Sequence, residues 1–453
     1  MSHSTRSSDR ARLTFVMLCI MAFVMYIDRA NISVAAPLIR KELGLTNTSL
    51  GLTFSAFGIA YAVFMIPGGW LSDRIGARKG LLVWGIVWSI ATIATGFIGS
   101  LVTLAIARFA VGVGEAPIYP SAARMIANVM PESRRGTAQG VMHACGRTAS
   151  ALAPLIVTAL IVYFSWRWAF IILGIVTICF MFFMYSCLNS AHKRDEEADE
   201  LADELERLAA AKGERSQRAS PAPVGKHAGP DTSKHARPVN WPDLIRRVWP
   251  ATAACFCHGW ILWFFLNWVP SFFAQRYGMK IEHSAVFSTF VLLGGTVGTA
   301  AGGMLSDWYL TRTGNRLKAR RNVIIFGFLS ALVGLIPLML TRNVTICTAS
   351  LCFAFFCSEI ADSPLWVIGS EIAPEHSATS SALTFAGMAL AGAISPVVVG
   401  YLLDVSNGNW LVAFGASMVV MVLGPMFAMR IRLEEPPVEP PARLDRLAVG
   451  STN

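Results

Sequence analysis

Charged side chains are rare in this chain's long apolar runs, and the few that occur are placed as if for work. Asp28 and Arg29 stand side by side in the run 13–37. Arg108 and Glu115 share a second run, Arg147 lies in a third, and Glu359 and Asp362 lie in a fourth. A charge in hydrocarbon costs about 2.5–3.5 kcal/mol on insertion scales, so these groups must face a protein interior or a water-filled cavity. Two chemistries fit such a set. The charges can form structural ion pairs that orient helices, or they can bind a proton or a charged solute partway across a membrane.

Spacing narrows the options. Adjacent residues on a helix diverge by about 100°, so Asp28 and Arg29 face different neighbours, one of them a cavity. Arg108 and Glu115, two turns apart, lie on one face about 10 Å from each other along the axis, so each needs a partner from another helix. Glu115 precedes Pro117, which frees a backbone carbonyl and can bend the helix. Desolvation and a nearby arginine act in opposite senses on a carboxylate at that depth. Their balance decides whether it can gain and lose a proton during a cycle.

Arg147 stands in Cys145-Gly146-Arg147-Thr148, where small neighbours allow close helix approach. It can grip a substrate carboxylate through two parallel hydrogen bonds, or pair with Glu359 or Asp362. Glu359 and Asp362 are three apart and share a face, and two acids so close need a cation between them. That cation can be a shared proton, Arg147 or an amino group on the substrate. His143 and His258 lie in apolar runs and read as core residues. Trp263, Trp268 and Trp366 can stack on a substrate, fill a core or anchor an interface.

The elements that hold these residues are membrane helices. The chain is 54% hydrophobic and only 15% charged, where a soluble protein carries nearer 25% charge. Twelve apolar runs are long enough to span, at about 13–36, 50–71, 80–99, 101–127, 137–163, 167–189, 249–273, 284–308, 322–341, 343–369, 378–402 and 409–430. The fold class expected is an all-α membrane protein of two six-helix pseudo-symmetric bundles. The domains expected are a first bundle at 1–190, a cytoplasmic linker at 191–247, a second bundle at 248–432 and a disordered tail at 433–453. Within the linker, Asp195 to Leu208 reads as a surface helix, and Lys212 to Pro238 as disordered.

A net charge of +10 does not imply nucleic acid. Of the 38 Lys and Arg residues, the loops on one side hold only Arg40, Lys41, Arg167, Arg276, Lys280 and Arg342. Four more, at Arg29, Arg108, Arg124 and Arg147, lie in the spans. The rest crowd the other side, which places both termini in the cytoplasm. The nine cysteines have no metal-like spacing and act as small apolar residues. Gly112-x-Gly114 lacks the strand that a dinucleotide fingerprint needs, so no enzyme motif is present and no cofactor or metal is expected.

The halves echo one another. Gly68-Gly69-Trp70-Leu71-Ser72-Asp73 ends span two and Gly302-Gly303-Met304-Leu305-Ser306-Asp307 ends span eight. Glu115-Ala116-Pro117 in span four matches Asp362-Ser363-Pro364 in span ten, and Ala153-Pro154 matches Ser395-Pro396. Parallel repeats of six spans build the major facilitator plan. The stretch Gly69-x-x-x-Asp73-Arg74-x-Gly76-x-Arg78-Lys79 resembles that superfamily's signature loop, and Arg108-x-x-x-Gly112-x-Gly114-Glu115-Ala116 its fourth-helix motif.

Tyr26-x-Asp28-Arg29-x-Asn31, Ile66-Pro67-Gly68-Gly69-Trp70 and Gly114-Glu115-Ala116 together resemble the anion:cation symporter family. Its bacterial members include symporters for galactonate, glucarate and hexuronates. The resemblance implies a proton-coupled importer of a small organic anion in the inner membrane. Asp28 and Glu115 would be the protonatable pair, Arg29 and Arg108 would bind and tune them, and Tyr26 and Tyr61 would hold substrate. Arg147, Glu359, Asp362 and Trp366 complete the candidate substrate site. Asp73, Arg74, Arg78, Lys79 and Asp307, at cytoplasmic helix ends, are candidate gating latches. In span eleven the family often has Phe-Ala-Gly-Asn, but this chain has Phe385-Ala386-Gly387-Met388, so a hydrogen-bond donor to a sugar acid is missing. The expected partners are the anion, the proton and the bilayer. The chain is expected to act as a monomer driven by the proton gradient. An exporter of the same fold, or a ligand receptor signalling through the long loop, would use the same residues.

Overall fold

The computed structural model describes residues 3–130, 132–211, 240–373 and 376–433. Every regular element among them is helical. The first half comprises α1 (His3–Leu43), α2 (Asn47–Ile75), α3 (Ala77–Thr95), α4 (Leu101–Glu115), α5 (Ile118–Val129), α6 (Glu132–Tyr163) and α7 (Trp166–Ala211). The second comprises α8 (Trp241–Tyr277), α9 (Ile281–Thr313), α10 (Arg316–Gly334), α11 (Ile336–Leu340), α12 (Val344–Ile360), α13 (Asp362–Glu371), α14 (Ser377–Val405) and α15 (Trp410–Ala428). Together they make twelve membrane-length spans, at the expected places in the chain.

Three spans are each built from two helices. Span four breaks at Ala116-Pro117 and span ten at Ala361, three residues before Pro364. Proline has no N–H to give and its ring crowds the carbonyl one turn back, so each break falls at or just ahead of one. Span nine breaks the same way before Pro337. The repeated Gly-Gly pairs pack against the first two breaks. A Cβ on Gly68 would collide with the Pro117 ring, and one on Gly302 with the Ile360 carbonyl oxygen. The sequence repeat is therefore a repeated contact: the end of one span seated in the elbow of another.

Helices run into the expected linker, 191–247, from both ends, and the membrane-length part of α7 stops at Ser190. α7 continues as one helix to Ala211, taking in the acidic 195–208 stretch, and α8 starts at Trp241 with Pro242 and Asp243 in its first turn. Proline there loses no helical bond, and an acid at that end suits the helix dipole. The 212–239 stretch and nearly all of the tail lie outside the described residues.

The halves meet along α2 with α14, α6 with α9, and α1 with α8. They are clasped at the end that carries Arg40 and Lys41. There Asp404, in the last turn of α14, accepts hydrogen bonds from the backbone N–H groups of Asn47 and Thr48, at 3.0 and 2.7 Å. It also accepts from Asn47 Nδ2 and Thr48 Oγ1, at 2.9 and 2.6 Å. Thr46 caps the same helix start through Ser49. A carboxylate from one half thus satisfies the open N–H groups and the positive end of a helix from the other.

Candidate functional site

The buried charges sort into three clusters. In the first, Arg29 donates from Nε and Nη2 to one oxygen of Glu115, at 2.9 and 2.7 Å. α1 delivers the arginine, and the last residue of α4 delivers the acid just ahead of the break. The Arg29 guanidinium lies 4.8 Å from the ring centre of Tyr26, 5.0 Å from Tyr61 and 5.2 Å from Phe57. Arg108 takes the same Phe57 ring at 4.9 Å. One phenyl ring is therefore shared by two guanidiniums, an arrangement that offsets part of their desolvation through the ring's negative faces. Arg108 and Glu115 lie on one helix as expected, and the partner of Glu115 comes from α1.

Asp28 belongs to a second cluster. It turns away from Arg29 into the first bundle, where its Oδ2 accepts from Trp88 Nε1 of α3 at 2.8 Å and Thr177 Oγ1 of α7 at 2.9 Å. Gly114 allows this packing, because any Cβ there would meet the Trp88 backbone. Of the adjacent pair, the arginine reaches the aromatic cluster and the aspartate is fully buried. Neither Trp88 nor Thr177 stood out in the sequence, where Trp88 is one of 13 tryptophans and carries no distinguishing neighbour.

The third cluster joins the two halves. Arg147 Nη2, on α6, lies 3.2 Å from Glu359 Oε2 and 3.3 Å from Asp362 Oδ2. Glu359 also accepts from Thr299 Oγ1 of α9 at 3.0 Å. His258, on α8, places Nε2 3.2 Å from the other Asp362 oxygen and 3.9 Å from Glu359. His258 is thus a buried ion-cluster member rather than a bystander of the core. Its imidazole and the two carboxylates offer ligand atoms within 4.8 Å of one another. The Arg147 guanidinium already lies against both carboxylates, and its charge opposes a metal ion there.

Around Arg147 the wall is aromatic. Tyr119 stacks on His143 with centroids 4.5 Å apart, and His143 lies 5.7 Å from Trp366. Trp366 stacks on Phe385 and remains 45% exposed, so it presents a free edge. Gly146 fits between Tyr26 and Tyr119, whose side chains would meet any Cβ there. Trp263 packs on Phe57 across the halves, and Trp268 is buried against Phe54.

The candidate latches are spread out. Arg74 lies 3.8 Å over the Trp70 ring, Lys79 is exposed, and the Asp73 side chain lies outside the described residues. Arg78 is half-buried. Asp307 accepts from Arg320 Nη1 at 2.9 Å, and the same nitrogen donates to Ser306 at 2.7 Å. That pair ties α9 to α10 within the second half, and Glu371 of α13 lies 4.0 Å from Arg320.

The family model described as Major Facilitator Superfamily matches residues 18–396. The chain belongs to that superfamily, as a multi-pass membrane transporter and not an enzyme. It is 36% identical over 419 residues to the probable sulfoacetate transporter SauU of Cupriavidus necator, covering 92% of each chain. It is 31% identical over 409 residues to the D-galactonate transporter of Escherichia coli O6:H1, covering 88% of this chain and 91% of that one. Among solved structures it is similar to the inward-facing, unoccupied form of a bacterial homolog of the human lysosomal transporter Spinster. The TM-score is 0.70 at 18% identity, over 94% of this chain and 97% of that one, a likeness of fold alone.

Proposed function

We propose that this chain imports a small organic anion together with protons, by alternating access, across the inner membrane with both termini in the cytoplasm. The observation that carries the reading is the set of three arginines, from α1, α4 and α6, held among aromatic rings where the chain's two halves meet. Arginine offers a planar fork that matches a carboxylate or sulfonate, and three in one buried region favour an anion. The similar proteins are transporters of sulfoacetate and of sugar acids by name. Met388 stands where many sugar-acid members have an asparagine, and this favours an acid with few hydroxyl groups.

Arg147 is 15% exposed, which makes it the arginine best placed to meet an arriving anion. Glu115 is the acid we assign to proton coupling at Arg29: an anion that draws Arg29 away leaves the carboxylate free to take a proton. Asp28 is assigned the same role on the other side of α1. On this reading the clasp at Asp404 holds shut the end away from the basic loops.

The test is uptake of labelled sulfoacetate and D-galactonate into proteoliposomes under an imposed pH gradient, with and without a protonophore. Accumulation of at least one that collapses with the protonophore is the expected result. Accumulation indifferent to the pH gradient would overturn proton coupling.

A further inference from the structure

The third cluster is unbalanced in charge. It sets two carboxylates, Glu359 and Asp362, against one guanidinium, Arg147, with an imidazole beside them, and the acids and the imidazole are all buried. If His258 is neutral and both acids are ionised, the group carries a net negative charge in a low dielectric, an arrangement that such surroundings penalise. One proton shared by His258, Glu359 and Asp362 removes the imbalance. The geometry suits sharing: Nε2 of His258 lies 3.2 Å from one Asp362 oxygen and 3.9 Å from Glu359. Among the described residues, the other titratable groups facing this cluster are His143 from α6 and Cys255 from α8, with Tyr26 and Tyr119 on the far side of Arg147.

We propose that His258, Glu359 and Asp362 form a second proton-binding site, in the C-terminal half, which exchanges its guanidinium for a proton when a substrate anion takes Arg147. The charge count is direct. With Arg147 in place, two acids, one arginine and one proton sum to zero. When an anion pairs with Arg147, the acids and their single proton are left one positive charge short, and a second proton restores neutrality. The same exchange separates the halves at this point, because Arg147 comes from α6 and the acids from α12 and α13. The site rests on the transport reading above only for the step that brings the anion.

Arg147→Gln imitates the anion-occupied state without any ligand. In lipid nanodiscs at neutral pH, its infrared spectrum is expected to show one more protonated-carboxyl band, sensitive to deuterium, than wild type. Adding Glu359→Gln should remove one such carboxyl. Equal carboxyl absorption in Arg147→Gln and wild type would overturn the site. Glu359→Gln alone balances the cluster without a proton and gives an independent measure, should Arg147→Gln fail to fold. Its melting temperature relative to wild type should change from mild acid to mild alkali, and a difference that stays constant with pH overturns the proposal. With labelled sulfoacetate as probe, reversal potentials should show wild type moving one more proton per anion than the double variant Glu359→Gln with Asp362→Asn, which has no carboxylate left here to protonate, and equal ratios refute the proposal. Absence of sulfoacetate flux in wild type would refute that substrate, while the infrared and melting results still decide the proton site.

Discussion

The two buried charge centres are repeat-related, yet they are wired differently. Glu115 and Asp362 hold equivalent places before the prolines of spans four and ten. Glu115 takes an arginine from its own half, through α1. Asp362 takes one from the opposite half, through α6, and shares it with Glu359 and His258. A pair within one half can persist while the halves rock, whereas a pair across them must break in each cycle. The first centre can therefore hold a charge state through the motion, and the second can report which way the carrier faces.

The sharpest way to break this contrast is Glu115→Gln. It should abolish uphill uptake while anion counterflow survives, since the amide cannot cycle a proton. Full accumulation by the variant in proteoliposomes would remove Glu115 from coupling.

Next in size is the pair across the halves. Arg147→Gln should destabilise the protein by up to about 3–5 kcal/mol at a pH where the acids it faces stay ionised, and Asp362→Asn, which still leaves Glu359 against Arg147, should cost less. The double variant should recover part of the loss, with a coupling energy of about 0.5–3 kcal/mol. Thermal unfolding of the three variants in one detergent measures this. Strict additivity would show that Arg147 is not coupled to Asp362.

Trp88→Phe sharpens the view of Asp28. It removes one of the two donors to the carboxylate and should cost about 1.5–3 kcal/mol, the range for a hydrogen bond to a charged group. A loss well below that range, read by the same unfolding assay, would mean that Thr177 alone suffices. The smallest effect expected is from Arg74→Ala. This exposed side chain lies over Trp70, and its removal should cost about 0.5–1 kcal/mol. A dead transporter with unchanged melting would instead make Arg74 a moving part of the gate.

Much of this was legible in the sequence for a simple reason. Apolar length fixes spans, and charges inside spans need partners, so Arg147 was one of three cations the sequence offered to Glu359 and Asp362. The breaks at spans four and ten were foreshadowed by Pro117 and Pro364. What could not be read is the identity of neutral partners. A tryptophan that donates to Asp28 looks like one that fills a core, and His258 looked like a core residue until α13 brought Asp362 to it. Asp404 was equally hidden, because an acid near a loop is unremarkable unless the helix end it caps is known to be beside it.

That cap bears on time as well as on structure. A tenfold change in the ratio of two conformers takes only about 1.4 kcal/mol, and a hydrogen bond to a charged group contributes about 1.5–3 kcal/mol. Asp404 accepts four hydrogen bonds from the opposite half. One side chain is therefore enough to set how long the empty carrier waits on one side of the membrane. Its removal would shorten that wait without touching any group that binds the cargo.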